Sequence, residues 1–291
     1  MHKSGFVNIL GKPNAGKSTL MNALTGERLS IITPKAQTTR HRILGIVNTE
    51  EYQAVFSDTP GIVVDPNYKL HSSMMKFVTS ALKDADVFLY VADIKEPIEL
   101  NEILDKAIKS GYPLIIALNK VDTVEQGTVM ERIRAWEELA PKAEIILLSA
   151  LEKLGVDGLM KAIVAHLPEG EPYYDKDVLT DKPEKFFVAE IVREKIFTHY
   201  QQEIPYSCEV EIDEYKEEEH ITKIRANIIV ARDSQKGIII GHKGVMLTRI
   251  GTAARKDIEK FLDKKVFLDL FVKVNPDWRN NERFLKQHGY E

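Results

Sequence analysis

Gly11-Lys12-Pro13-Asn14-Ala15-Gly16-Lys17-Ser18 constrains this chain more than any other stretch. The apolar run Phe6 to Leu10 precedes it and the helix-compatible Thr19-Leu20-Met21-Asn22-Ala23-Leu24 follows, the strand, glycine-bounded loop and helix of a phosphate-binding turn. The reason is geometric. Glycines without a Cβ let successive backbone N–H groups turn inward around a polyphosphate, and the helix that starts near Lys17 aims its free N–H groups at the same anion. Lys17 is expected to reach the terminal phosphates and Ser18 to ligate a bridging Mg²⁺. All eight residues, Gly11, Lys12, Pro13, Asn14, Ala15, Gly16, Lys17 and Ser18, are therefore assigned to phosphate binding.

A chain of 291 residues is long enough for about two domains with proper cores. Its net charge of −4 argues against a wholly basic nucleic-acid binder, so any such role must rest on a local patch. Cys208 is the only cysteine, which excludes an internal disulfide or a thiolate metal cluster. The apolar runs are strand-sized, and Met1 to Gly5 leads into a strand without a signal-type apolar region, so a cytoplasmic location is expected.

Beyond the first helix, Arg28 to Arg42 is polar and rich in turn formers, among them Ser30, Thr33, Pro34 and Thr39. It lies where a nucleotide-sensing loop would be. Arg40 and Arg42 in it could serve as cis arginines, although flexible basic loop residues are more often solvated. Ile43 to Val47 and Tyr52 to Phe56 read as an antiparallel hairpin at one sheet edge. The second of these strands ends in Ser57-Asp58-Thr59-Pro60-Gly61. Asp58 is placed to hold Mg²⁺ and Gly61 to bring its N–H close to a γ-phosphate. Helices (Leu70 to Lys83, Ile98 to Lys109, Val129 to Leu139, Val156 to His166) then alternate with apolar strands (Val87 to Ala92, Leu114 to Leu118, Ile145 to Leu148). The pattern predicts an α/β fold, a doubly wound, mostly parallel sheet with an antiparallel edge hairpin.

Two further strand ends point to the base. Asn119-Lys120-Val121-Asp122 offers a carboxylate, Asp122, that can accept both N1–H and N2–H₂ of guanine, whereas adenine would leave it unpaired. Lys120 can cover a base face, Asn119 can brace neighbouring loops, and Ser149-Ala150 can present the Ala150 N–H to guanine O6.

These motifs, in this order, resemble the G domain of the translation-factor-type P-loop GTPases over residues 5–167, and with Gln37-Thr38-Thr39-Arg40 they are most similar to the Era family of bacterial ribosome-assembly GTPases. The resemblance implies binding of GTP and GDP with Mg²⁺. It also implies a Thr39 that meets Mg²⁺ and the γ-phosphate, and an Asn14 that helps hold K⁺ in place of an arginine finger. Ile62 stands where Ras-like proteins carry a water-orienting glutamine, so intrinsic hydrolysis is expected to be slow. A nucleotide-sensing module with negligible turnover is the alternative this residue raises.

Pro168 to Pro183 reads as an irregular connector, giving a G domain over 1–167, a linker over 168–183 and a second domain over 184–291. There, Phe186 to Tyr200 reads as a helix with Phe187, Ile191 and Ile196 on one face, and Cys208 to Ile212 and Ile224 to Val230 as strands. Ile238-Ile239-Ile240-Gly241-His242-Lys243-Gly244-Val245 places an apolar helix end, a Gly-x-x-Gly turn and a second helix in the arrangement of a KH domain, a smaller α+β unit that clamps single-stranded RNA. The bare spacing is weak, since Gly155-Val156-Asp157-Gly158 also matches and there opens a helix. Charge strengthens it: from Arg232 to Lys273 ten Lys or Arg oppose five acids, while Glu203 to Glu219 carries eight acids and one lysine. Residues 238–245 and Arg249 are assigned to RNA. By the family resemblance, that RNA is 16S ribosomal RNA near its 3′ end on the small ribosomal subunit, and the protein is a monomer with a peripheral membrane association open to it. Pro276 to the C-terminus reads as a closing helix with Trp278 packed.

Overall fold

The structure is a computed structural model that describes residues 1–62 and 67–290. They form two compact units: one holds the described residues up to Asp181 except Asn67–Ser72, the other holds Asn67–Ser72 and the residues from Lys182.

The first unit is built on six strands: β1 (Lys3–Leu10), β2 (Ile43–Asn48), β3 (Tyr52–Asp58), β4 (Val87–Asp93), β5 (Leu114–Asn119) and β6 (Glu144–Leu147). Their order is β2-β3-β1-β4-β5-β6, and only the edge pair β2–β3 is antiparallel. The expected α/β fold is therefore present. Central strands such as β5, with every residue buried, are covered on both faces by helices. Those helices are α1 (Lys17–Thr25), α2 (Lys69–Ala81), α3 (Glu102–Lys109), α4 (Gln126–Leu139) and α5 (Val156–His166). Register makes the functional strand ends level, since Ile9 pairs with Asp58 and Asp93 with Asn119. Several boundaries shift by a few residues, α4 for example starting at Gln126 rather than Val129, and one shift has a clear cause. The α3 helix starts at Glu102 rather than Ile98, because Asn101 Oδ1 accepts the N–H groups of Ile103 (3.1 Å) and Leu104 (3.0 Å) and so fixes the N-terminus.

The connector after α5 is irregular, but it is strapped to the sheet edge. Ile46 N–H donates to Leu179 O at 2.8 Å and Leu44 N–H to Asp181 Oδ1 at 2.9 Å, which occupies the outer side of β2. Gln53 accepts from Tyr173 and Tyr174 N–H at 2.7 and 3.1 Å.

The second unit contains α6 (Glu184–His199), β7 (Cys208–Glu217), β8 (Thr222–Val230), α7 (Asp233–Ile240), α8 (Val245–Leu262), β9 (Val266–Val274) and α9 (Glu282–Gln287). Its sheet runs β7-β8-β9, the first pair antiparallel with a bulge between Ile212 and Glu214, the second parallel. Helices pack on one face over Ile191, Ile196, Ile228 and Ile258. Two expectations change here. The closing stretch is a short turn, Trp278–Asn280, and then α9, because Asp277 is left-handed (φ 57°) and Asn281 caps the new helix at Phe284 N–H. Trp278 is indeed fully buried. The α6 helix is more than amphipathic, since Glu190, Arg193 and Glu194 are buried along with its apolar residues. Within this unit Lys69 N–H donates to Asn280 Oδ1 at 3.2 Å, and the Arg279 guanidinium lies 4.0 Å from the Tyr68 ring centre.

Candidate functional site

The loop between β1 and α1 is fixed by the strand that carries the base-reading motif. Gly16 is left-handed (φ 101°), and a Cβ there would stand 2.1 Å from Asn119 Nδ2. That amide donates to Ala15 O at 2.8 Å, which ties the loop to the end of β5. Lys120 Nζ adds a second tie by donating to Asn14 O (2.8 Å) and Asp93 Oδ2 (2.6 Å).

Lys17 is buried, and its Nζ donates to Gly11 O (3.1 Å) and Lys12 O (2.8 Å). Desolvation lowers its pKa to about 8, against the opposing attraction of Asp58 and Glu96. Asp58 is fully buried and its pKa is raised by burial, with Lys17 and then the hydroxyls of Ser18, Ser30 and Thr39 pulling the other way. Its Oδ2 accepts from Ser18 Oγ (2.7 Å) and Ser30 Oγ (2.9 Å), and the Ser18 and Thr39 hydroxyl oxygens are 2.8 Å apart. Asp58 Oδ1 is buried with no hydrogen-bond partner among the described residues. Three hydroxyls, of Ser18, Ser30 and Thr39, converging on a carboxylate with an oxygen to spare fit a hard, oxygen-seeking dication such as Mg²⁺.

These groups open onto a cavity of about 570 Å³ whose walls include Asn14, Lys17, Ser18, Thr39, Gly61, Asn119, Lys120, Asp122 and Ser149. The volume is that of a small-ligand site. Asp122 is exposed on its wall, and among the described residues its carboxylate makes no hydrogen bond or ion pair. The sequence-assigned phosphate, metal and base residues are thus brought together, with exceptions. The Ala150 N–H is donated to Asn119 Oδ1 at 2.9 Å, so its contact with guanine O6 is not preformed. The Lys12 side chain is turned to Glu99 at 2.7 Å. Arg40 and Arg42 are not solvated: Arg40 is buried, and Arg42 donates to Ser57 Oγ (2.7 Å) and Asp84 (2.6 Å), bracing β2 rather than the cavity. Ile62 is partly buried and packs against the core that includes Phe88, Tyr90 and Leu104. The residue missed as part of the metal cluster is Ser30. Its only sequence signal was its place in a polar loop, and its bond to Asp58 spans 28 residues.

In the second unit the glycine turn is built as expected. Gly241, Lys243 and Gly244 are all left-handed (φ 71°, 51° and 79°), and a Cβ on Gly241 would meet Met246 Cγ at 2.7 Å. His242, Lys243, Val245 and Arg249 are exposed around it, and Ile238 is half exposed. Ile239 departs from its assignment to RNA. It is fully buried in the core, and its carbonyl accepts from Tyr200 Oη at 2.6 Å. Ile240 is partly buried against the same core. Helical period explains both, because three consecutive isoleucines cannot share one face. A groove of about 300 Å³ lies between α8 and β9, lined by Leu247, Gly251, Arg255, Leu268 and Leu270 among others.

Comparison with known proteins agrees with both halves. Residues 6–120 match the family described as 50S ribosome-binding GTPase, and residues 203–279 match the KH domain family. GTPase Era of Geobacter metallireducens is 47% identical over 292 residues, spanning 99% of this chain and 98% of that protein. The chain belongs to the Era family of GTPases. GTPase ERA1 of Zea mays chloroplasts is 46% identical and covers 99% of this chain, which covers 71% of it. Among solved structures, an Aquifex aeolicus Era variant bound to GDP and AlF₄⁻ superposes with a TM-score of 0.95 at 41% identity, covering 99% of each chain. Era in complex with MgGDPNP and nucleotides 1506–1542 of 16S ribosomal RNA does so with the same score and identity, covering 100% of this chain and 99% of that one.

Proposed function

We propose that this Era-family protein is a GTP-operated switch that hydrolyses GTP to GDP and binds single-stranded 16S ribosomal RNA near its 3′ end through its KH domain, in assembly of the small ribosomal subunit. The observation that carries the reading is the convergence of Ser18 and Thr39 on the buried Asp58, beside Lys17, on the wall of a cavity that is also lined by Asp122. Lys17 holds the terminal phosphates, Asp122 selects guanine, and Gly61 brings a backbone N–H toward the γ-phosphate. Ser18, Thr39 and Asp58 hold Mg²⁺, which when bound neutralises charge on the phosphate oxygens. Asn14, exposed and left-handed (φ 63°) on the cavity wall, is the residue for a K⁺ beside them. Bound nucleotide would hold Thr39 in the place it already occupies beside Ser18 and Asp58, and its loss would free the Thr39 loop. Movement of the Thr39 loop is transmitted into β2, to which the connector is hydrogen-bonded through Leu179 and Asp181. Ile62, partly buried against the core, has no side-chain group to orient an attacking water, so turnover is slow.

Competition of bound GTP by GDP and by ATP tests the base assignment, and equal displacement by both refutes it. Single-turnover hydrolysis in K⁺ and Na⁺ buffers tests Asn14; equal rates remove the K⁺ role, and no hydrolysis in either leaves a sensing module. Crosslink mapping of cellular RNA, with Lys243→Glu and Gly244→Asp as controls, tests the RNA. We place the protein in the cytoplasm as a monomer. None of the described helices is long and apolar enough to cross a membrane, so an association with the membrane's inner face is a peripheral one.

A further inference from the structure

The sheet of the second unit has two faces. On β8, Ile224, Ala226, Ile228 and Val230 enter the helix-side core, so Lys223, Arg225, Asn227 and Ile229 stand on the opposite face. Paired with them in register on β9 are Phe267, Asp269, Phe271 and Lys273. One end of this face is closed by the C-terminal segment, where Tyr290 Oη donates to Glu209 Oε2 at 2.5 Å, and Glu209 pairs with Ile229. Beyond that row the face opens. Phe267 is 56% and Phe271 45% exposed, two aromatic rings four residues apart on one side of one strand. The Arg225 guanidinium lies 5.9 Å from the Phe271 ring centre and within 3.4 Å of Glu214 and 3.9 Å of Asp269. Asn227, the partner of Phe271 in register, is 1% exposed, and neither atom of its amide has a hydrogen-bond partner among the described residues. Buried amides are ordinarily hydrogen-bonded in folded proteins, so this one stands out.

The charge of the face is graded. Lys223, Arg225 and Lys273 against Asp269 lie toward β9, with Lys223 donating to Glu218 Oε1 at 2.8 Å, while Glu211, Glu214 and Lys216 lie on β7. The β9 strand is an edge strand, and its other face supplies Leu268 and Leu270 to the groove beside the Gly-x-x-Gly turn. An RNA strand that leaves the groove over this edge meets Phe267, Phe271 and Lys223 first, and is stopped from running further by the carboxylates of β7.

We propose that the exposed β8–β9 face is a second single-strand RNA site: Phe267 and Phe271 stack unpaired bases of the same strand that fills the groove, Lys223 and Arg225 meet its phosphates, and the unpaired Asn227 amide forms the floor. Aromatic rings on an open sheet are a recurrent platform for bases, and stacking tolerates any sequence because every base has a π-face. The proposal rests on the RNA-binding reading above and extends it from a clamp to a wrapped path.

The test uses the full chain and fragments of 16S rRNA nucleotides 1506–1542, shortened stepwise from either end. The shortest fragment whose affinity falls in Lys243→Glu defines groove length. Groove-length RNA is expected to bind wild type and the Phe267→Ala/Phe271→Ala variant equally. Longer RNA is expected to bind wild type more tightly and to lose about tenfold, or about 1.4 kcal/mol, in the double variant. A Phe271→Trp variant reports stacking directly, through fluorescence quenched by longer RNA and not by groove-length RNA. Both phenylalanines are exposed, so a matched thermal melt confirms that the variants fold. Longer RNA binding wild type no more tightly, or the double variant binding every fragment like wild type, overturns the proposal. So does weaker binding to purified small subunits with free-RNA affinity unchanged, which would assign the face to a protein. If Lys243→Glu/Gly244→Asp binds every fragment like wild type, the groove reading fails instead, and the Trp fluorescence still reads the sheet face.

Discussion

Each half of this protein buries a cation beside carboxylates, and the two clusters are completed differently. In the first unit Lys17 donates to two carbonyls, and Asp58 keeps an oxygen without a partner among the described residues. Burial pushes both groups toward neutrality, lowering Lys17 to about 8 and raising Asp58. In the second unit the Arg193 guanidinium is gripped by Glu190, with Nε 2.6 Å from Oε1 and NH2 2.5 Å from Oε2, and it also faces the Phe197 ring at 5.3 Å. Its pKa is raised despite burial, through Glu190 first and then Glu209 and Tyr290. The charge that holds the fold together meets a carboxylate in direct contact, whereas Lys17, which serves a ligand, meets only neutral carbonyls.

The sharpest way to break this contrast is to unpair the structural cluster. Glu190→Gln leaves the buried guanidinium without its main counter-charge, and we expect a loss of about 3–5 kcal/mol in chemical denaturation of the second unit, with GTP affinity unchanged. A loss below about 1 kcal/mol would mean that Arg193 is not held as described. In the ligand cluster, Lys17→Ala should lower the hydrolysis rate by about 10²–10³, measured in single turnover, while the stability of the nucleotide-free protein holds or rises because a poorly satisfied charge is gone.

Proton linkage refines the same point with a smaller effect. Unfolded, Lys17 keeps its proton up to about 10.5, while folded it gives it up near 8. Between those values the unfolded chain binds more protons, so Lys17 makes the stability of the empty protein rise with pH over that window. Nucleotide binding runs the other way, because the phosphates need the ammonium form. Affinity should fall above pH 8, by about tenfold at pH 9, with proton uptake seen by calorimetry in buffers of different ionisation heat. A flat profile would show that Lys17 stays charged when the site is empty. The smallest effect belongs to the solvent-facing turn. Lys243→Ala should weaken RNA binding a few-fold and reduce the salt slope of log K by about 1, with nucleotide turnover unmoved.

The two glycine turns show how far local chemistry can be read. Each needs positive-φ residues at named positions, and a Cβ at Gly16 or Gly241 collides with a neighbour; spacing in the chain was enough to place the first, while the second also needed the isoleucine run before it and the basic charge around it. Less legible were the side chains whose role depends on distant partners. Ser30 joined the metal cluster, Arg42 was tied to Ser57 and Asp84, and the Ala150 N–H was taken by Asn119. Ile239 and its neighbours looked alike in sequence, and only packing sent one into the core and another to the surface.

By itself, then, the order of motifs and the alternation of apolar strands with helices determined the α/β half, its cavity residues and the glycine clamp of the second half. These are properties of short segments, fixed by backbone geometry and hydrophobic period. Tertiary structure alone decided which buried charges are paired, which backbone donors are spent, and which sheet face stays open with Phe267 and Phe271 upon it. Those outcomes depend on groups far apart in the chain meeting in a low-dielectric interior, where one additional partner changes the charge state and no local pattern records it.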